Sequence, residues 1–296
     1  MKTKAIYYPE VNAYDVCELT LDEMGAADVR VRTLVTAVSP GTERWVLRGL
    51  HIGSQFPCVP GYHRLGIVEE CGADVTNLKV GDIVYGTPNR WKEDIISMWG
   101  AHVGMSVGAA GGYTFVASEP LEADLMESIS FTILAGVGNR GINRCDGLGP
   151  DTNLLSIGAG IVGITAAQLA VNLGAEATLL DKNPARIAFL KEALPELRVL
   201  NVDDPDLVDQ LKAIAPNGFD ILQDTVGHAP TTDAMVQLMR PRGLMLMQAQ
   251  YFDKEKCAVD LDQIKVKELN ITTTCGIRAE DFEQTTGFMK SGVLKI

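Results

Sequence analysis

A chain of 296 residues exceeds what a single hydrophobic core normally fills, so two domains are expected; 46% apolar and 22% charged residues make an ordinary folded protein. The net charge of −12 comes without any block of like charge, and such an acidic surface repels phosphate backbones, which argues against nucleic acid as a partner. The start MKTKAIYYPE lacks the apolar stretch of a secretory signal, and the most apolar window, 154–180, is broken by Gln168, Asn172 and Glu176; a cytoplasmic protein with no membrane partner is expected.

The first 120 residues read as β-rich. VRVRTLVTAVS (29–39), LGIVEECG (65–72), GDIVYGT (81–87) and GGYTFVAS (111–118) are short β-prone runs, most of them bounded by Gly or Pro. The intervening stretch 88–112, with two Trp and many Gly, reads as a long loop. From about residue 121 the pattern changes, and EADLMESISFTILAGVGNRGI predicts a helix interrupted by its glycines.

A regular alternation follows. NLLSIG (153–158) predicts a buried strand, IVGITAAQLAVNLG (161–174) a helix, and EATLLD (176–181) a second strand. PARIAFLKEAL (184–194) reads as a helix opened by Pro in its first turn. FDILQDTVG (219–227), TTDAMVQLM (231–239), GLMLMQAQ (243–250) and NITTTCG (270–276) continue as strand, helix, strand and strand. Strands alternating with helices imply a parallel sheet covered on both faces. The expected organisation is a β-rich domain at 1–120, a doubly wound α/β domain at 121–276, and a C-terminal segment at 277–296.

Within the alternation, SIGAGIVG carries Gly158, Gly160 and Gly163 between a strand and a helix, the context that gives G-x-G-x-x-G its meaning. Gly158 allows a tight turn, Gly160 has no Cβ to hold off a pyrophosphate, and Gly163 lets helix and strand pack closely. The helix N-terminus at Ile161 and Val162 presents backbone N–H groups and partial positive charge to phosphates. Asp181 ends the next strand, where a carboxylate accepts from ribose hydroxyls and repels a 2′-phosphate; NAD is expected over NADP by at least about 10-fold. Arg186, Thr225, Gly227 and Gln248, at or after the ends of neighbouring strands, complete the candidate cofactor set.

Six cysteines, at 17, 58, 71, 145, 257 and 275, include no close pair, so neither a structural zinc motif nor a disulfide framework is indicated.

Nearly the whole chain resembles the medium-chain dehydrogenase/reductase (zinc-type alcohol dehydrogenase-like) family. The likeness is carried by AVSPGTERWVLRG, by PCVPGYHRLGIVEECGADVTNLKVGDIVYG, and by DKNPARIAFLKE and GFDILQDTVG. Among its branches, S-x-G-T-E with P-G-Y most resembles the bacteriochlorophyllide a dehydrogenase-like group, which carries no substrate assignment over to this chain. The resemblance implies a GroES-like β-rich catalytic domain plus a Rossmann domain, hydride transfer with a nicotinamide cofactor, and a homodimer paired through the edge strand NITTTCG. Family members continue past the MKSGVLKI region and return to the catalytic domain; by that resemblance 277–296 starts such a return, and the chain is either a short variant or lacks a C-terminal stretch.

Zinc-dependent members of that family carry Cys-Gly-Thr-Asp and Gly-His-Glu where this chain has Pro40-Gly41-Thr42-Glu43 and Gly61-Tyr62-His63. Where a third ligand Cys is expected, TILAGVG offers Leu134 or a neighbour, and 88–112 lack the four cysteines of the structural zinc lobe. No metal site is therefore expected. A metal at His63 would need partners from His102, Cys58, His51 or Glu43, which no spacing brings together. His63 is otherwise a proton relay or a polar residue of the turn. In the relay reading, Thr42 and Tyr62 hold the substrate oxygen and Glu43 orients the loop or tunes His63.

The expected function is NAD-dependent interconversion of a secondary alcohol and a ketone without catalytic zinc. The alternatives are a zinc-free quinone or enone reductase, and a non-catalytic NAD-binding protein.

Overall fold

The structure is a computed structural model describing residues 1–251 and 260–296; Cys257, and the stretch of the expected 121–276 domain around it, lie outside the described residues. Two compact units divide within one helix, at Ile133/Leu134.

In the first unit, β1 (Lys2–Tyr7) and β2 (Asp15–Thr20) pair antiparallel. β3 (Asp28–Thr36) leads to the short helix α1 (Thr42–Leu47), then to β4 (Cys58–Val59), β5 (Arg64–Cys71), β6 (Ile83–Gly86), β7 (Ile96–Ser97), β8 (Met105–Ala109) and β9 (Tyr113–Ala117). Five of these form an antiparallel sheet in the order β8-β3-β5-β6-β9, while β4 and β7 make a small parallel pair. The period-2 alternation of β3 sets its faces. Val29 and Val31 are buried with Val68, Leu78, Val84 and Tyr113, whereas Arg30 pairs with Glu70 and Arg32 with Glu69 at 2.6 Å across the neighbouring strand. Helix α2 (Ala123–Ser130) closes the unit, and Tyr85 reaches it by donating its hydroxyl to the Ser130 carbonyl at 3.1 Å.

Strand β8 lies inside the stretch read as a loop. Its sequence, MSVGA, is mostly small residues because the neighbours come close. A Cβ on Gly108 would stand 2.6 Å from Pro88, and Ser106 is fully buried against Arg64. The small size that fits the strand here removes the apolar alternation that would announce it.

The second unit begins within α3 (Thr132–Ile142); a break at Phe131 separates this helix from α2, so the single helix expected is two. Then come β10 (Asn153–Ile157), α4 (Ile161–Asn172), β11 (Glu176–Asp181), α5 (Pro184–Ala193), β12 (Arg198–Asn201), α6 (Leu207–Ile214), β13 (Phe219–Asp224), α7 (Ala229–Val236), β14 (Met239–Met247), α8 (Leu261–Val266), β15 (Asn270–Thr273) and α9 (Ala279–Lys290). The six strands are parallel in the order β12-β11-β10-β13-β14-β15. This is the doubly wound Rossmann order, whose direction reverses between β10 and β13.

The inner strands of this unit carry apolar runs on both faces because both faces are covered, whereas the edge strands β12 and β15 are more polar and exposed. Leu155, Ile157, Leu180, Leu222, Met245 and Phe219 form a core with Leu207 and Leu211 of α6. The side chain of Asn183 caps α5 ahead of Pro184, accepting from Ala185 and Arg186 N–H groups.

Strand β12 and helices α6, α8 and α9 were not expected from the sequence. The C-terminal segment 277–296 belongs to the second unit rather than returning to the first. Asn139 of α3 donates to Thr285 at 3.1 Å, and Gln168 of α4 exchanges two hydrogen bonds with Lys295. Among the described residues no helix is long and apolar enough to cross a membrane.

Candidate active site

The glycine turn sits where β10 ends, at the reversal of strand order. Gly158 adopts φ +102°, a conformation closed to most side chains, and a Cβ there would run into Thr225 and Val226. A Cβ on Gly163 would meet the Gly158 carbonyl, which holds α4 close to the turn. Gly160 faces open space, with nothing within 4 Å of where its Cβ would be. No protein contact demands glycine there, and the space suits a pyrophosphate over the α4 N-terminus at Ile161 and Val162.

Asp181 ends β11 beside this turn and is nearly buried. Its carboxylate accepts from Ala159 N at 3.1 Å, Asn183 N at 2.9 Å and the Arg186 guanidinium at 2.8 Å. Burial alone would raise its pKa, but these bonds together outweigh burial and hold it below the ordinary carboxylate range. An ionised carboxylate has room for further donors beyond these three, as ribose hydroxyls would require.

The other nucleotide-side candidates divide. Thr225 donates to the Ile157 carbonyl at 2.7 Å, and Gly227 turns at φ +75° with its N–H on Asp224; both flank the glycine turn. Gln248 is engaged inside the unit instead. Its Nε2 donates to the Val137 carbonyl and to Thr274, both at 2.6 Å, and its Oε1 accepts from Gln223 at 2.7 Å. These bonds tie the end of β14 to α3 and to the segment after β15.

In the first unit the structure brings Thr42 and Tyr62 together: the Tyr62 phenol donates to Thr42 Oγ1 at 2.7 Å. Thr42 is buried at the start of α1, and Tyr62 is half-buried with its ring 4.5 Å from that of Trp99. Trp99 and His51 help line an open pocket of about 520 Å³ with Thr87, Pro88, Asn89 and Met98.

Glu43 does not tune His63. Its side chain is buried, with Oε1 accepting from Ser39 N at 2.7 Å and Oε2 bonded to His102 Nε2 at 2.8 Å. His102 in turn meets Thr36 Oγ1 through Nδ1 at 2.9 Å. Burial first, and then the Glu43 carboxylate, push the nearby Tyr8 phenol up to about 12.

His63 stacks flat on Tyr85, with ring centroids 5.0 Å apart, and its buried Nδ1 has no hydrogen-bond partner. Burial, and secondarily the Arg64 cation, push its pKa down to about 4. A base that weak is poorly matched to proton abstraction near neutral pH, which favours the turn reading over the relay. Arg64 is itself fully buried. Nη1 donates to Pro88 O at 2.7 Å, Tyr113 OH at 2.7 Å and Ser106 Oγ at 3.0 Å; Nη2 donates to Gly100 O at 2.9 Å. The bonds to Pro88 and Gly100 pin both ends of the 88–100 stretch to β5, and those to Ser106 and Tyr113 tie it to β8 and β9.

The residues that the resemblance sets against zinc ligands offer a metal little. Pro40 and Leu134 have no donor atom, and the Tyr62 phenol is hydrogen-bonded to Thr42. Among the described residues no three His, Cys, Asp or Glu side chains gather as a ligand set.

His102, Thr36 and Arg64 are absent from the set of catalytic residues expected from sequence. The sequence offers His102 only as a metal partner, and nothing in the spacing of residues 36, 43 and 102 reveals that they meet.

Comparison with known proteins places this geometry. Residues 25–122 match the alcohol dehydrogenase GroES-like domain and residues 162–291 the zinc-binding dehydrogenase domain. The chain is 23% identical to D-arabinitol dehydrogenase 1 of Uromyces fabae, over 98% of this chain and 87% of the relative. Its fold matches benzyl alcohol dehydrogenase of Acinetobacter calcoaceticus with a TM-score of 0.84 at 16% identity, covering 99% of this chain and 90% of that one. A protein of Sinorhizobium meliloti described as a zinc-binding dehydrogenase, solved with NADP bound, matches with a TM-score of 0.82 at 19% identity over 100% and 90% of the two chains. With one domain model on each unit and dehydrogenases among its relatives, the chain belongs to the zinc-type, alcohol dehydrogenase-like family of medium-chain oxidoreductases.

Proposed function

We propose that this oxidoreductase interconverts a secondary alcohol and a ketone by hydride transfer with NAD, and that the Thr42–Tyr62 hydroxyl pair does the polar work that zinc does in its relatives. The observation that carries the reading is the 2.7 Å bond between those two hydroxyls, at positions where the family's metal site has no donors left. A bound nicotinamide dinucleotide supplies or accepts the hydride. It would lie over Gly158, Gly160 and Gly163, with Thr225 and Gly227 beside it and its ribose on Asp181. The S. meliloti protein, solved with NADP, supports a nicotinamide dinucleotide at this turn; Asp181 favours the form without a 2′-phosphate.

Tyr62 donates to Thr42, so the Thr42 proton is directed to a different acceptor. That polarity suits a carbonyl oxygen: Thr42 would donate to the oxygen as hydride arrives, and Tyr62 would resupply the proton. In the oxidation direction the same two hydroxyls carry the proton away. His63 is held neutral and weakly basic, which makes it a poor proton acceptor. This favours carbonyl reduction, and it also supports a second reading, reduction of a conjugated enone or quinone, which needs a hydrogen-bond donor at oxygen but no base.

Thr42→Ala and Tyr62→Phe should each lower kcat for ketone reduction about 100-fold while leaving the KM for NADH unchanged. Steady-state kinetics on cyclohexanone, acetoin and dihydroxyacetone check this. Turnover of menadione or an enone with none of the three ketones reduced would favour the second reading.

We further propose a homodimer paired through β15. This strand is the edge of the six-stranded sheet, its residues are largely exposed, and among the described residues nothing pairs with its outer side. Light scattering gives the mass directly, and a monomer would refute the pairing.

A further inference from the structure

Thr42 and Tyr62 come from segments far apart in sequence, and each stands next to a residue held by His102. Glu43, beside Thr42, bonds His102 Nε2 at 2.8 Å. Gly61, beside Tyr62, lies against the His102 ring: a Cβ there would be 2.9 Å from three of its carbons. The backbones run together as well. His102 N donates to Pro60 O at 3.2 Å, and Ala101 N to Gly61 O at 3.0 Å. The third anchor is Thr36 at the end of β3, 2.9 Å from Nδ1. His102 and Glu43 are both almost completely buried, and Glu43 also accepts from Ser39 N at 2.7 Å, which closes the loop leading into α1.

We infer that His102 is the positioning residue of the hydroxyl pair: bonded to Glu43 and packed on Gly61, it sets the distance between the Thr42 and Tyr62 segments. With Glu43 ionised, Nε2 must carry the proton, since a carboxylate only accepts. The ring then has one bonded nitrogen toward α1 and one toward β3, with its face on the turn that carries Tyr62. A glycine at position 61, where φ is +100°, is what lets the ring lie there. Misplacement of a catalytic group by about 1 Å costs on the order of 100-fold in rate, so the loss of such a clamp would be read in kcat.

This inference rests on the hydroxyl-pair reading, and the test separates the two. The intact protein reduces cyclohexanone, acetoin and dihydroxyacetone with NADH in wild-type, His102→Ala, His102→Gln, Thr42→Ala and His102→Ala/Thr42→Ala forms. His102→Ala is expected to lower kcat about 30- to 100-fold with an unchanged KM for NADH. His102→Gln, whose amide can still donate to Glu43, should recover most of the loss even if His102→Ala folds poorly. The double variant should be little worse than Thr42→Ala alone, because His102 acts through the pair. Wild-type turnover in His102→Ala, a Gln variant as slow as Ala, or additive losses in the double variant would overturn the inference while leaving the hydroxyl pair standing. An unaffected Thr42→Ala, or no reduction of any of the three ketones, would instead overturn the reading beneath it.

Discussion

The two units carry candidate sites built in opposite ways. In the second unit the nucleotide seat is made largely of backbone: a glycine turn at φ +102°, the N-terminus of α4, and one carboxylate at the end of β11. In the first unit the site is made of side chains that meet from β3, α1, the 60–63 turn and the segment before β8. A backbone seat tolerates replacement of most side chains around it. A side-chain site changes its chemistry with a few substitutions, and by the resemblance Pro40 and Tyr62 are such a change.

That contrast should show first in stability. Arg64 is a buried cation with four neutral acceptors and an unpartnered Nε. Replacing it by Leu strips those acceptors of their charged donor, leaving Pro88, Ser106 and Tyr113 only the bonds among themselves and Gly100 a long contact from Asn89. A loss of about 3–5 kcal/mol is expected, read as a lower denaturant midpoint for the first unit, while NADH binding in the second unit is unchanged. Equal weakening of NADH binding would dissolve the distinction between the units.

A somewhat smaller effect follows from His63. Its pKa falls from 6.5 to about 4 on folding, so the unfolded chain binds a proton that the folded chain refuses. The stabilising contribution is complete above pH 6.5 and is lost as pH falls toward 4, by up to about 3 kcal/mol. His63→Phe, which keeps a ring against Tyr85, should flatten that part of the acid-unfolding curve. An unchanged slope would mean that His63 titrates normally.

The smallest effect belongs to the second unit. Asp181→Ser removes the charge that opposes a 2′-phosphate and leaves Arg186 beside it. The preference for NAD over NADP should fall about 10-fold in kcat/KM, with first-unit stability untouched. Wild-type protein that used both cofactors equally would contradict the role given to Asp181.

How much of this was legible in the sequence follows the same division. The strand, the glycine spacing and Asp181 lie within one βαβ stretch, where local pattern and local geometry coincide, so the Rossmann unit could be read directly. Gln248 could not, because its engagement with Gln223, Val137 and Thr274 is tertiary. In the first unit, β8 is hidden by the small residues that its packing demands; in the second, α9 is hidden by polar side chains turned onto α3. Thr42 and Tyr62 were found through family positions, whereas Glu43 meeting His102 depends on a contact across 59 residues. His63 looked like a base because a lone histidine in a glycine-bounded turn suggests exposure; burial against Tyr85 and Arg64 reverses that.

The most direct measurement is ketone reduction with NADH by wild-type protein after exhaustive chelation, set beside the Thr42→Ala/Tyr62→Phe double variant. The expected result is undiminished kcat in the chelated wild type and a loss of at least about 100-fold in the variant. Activity that vanishes on chelation and returns with zinc, in a protein indifferent to the two hydroxyls, would contradict it.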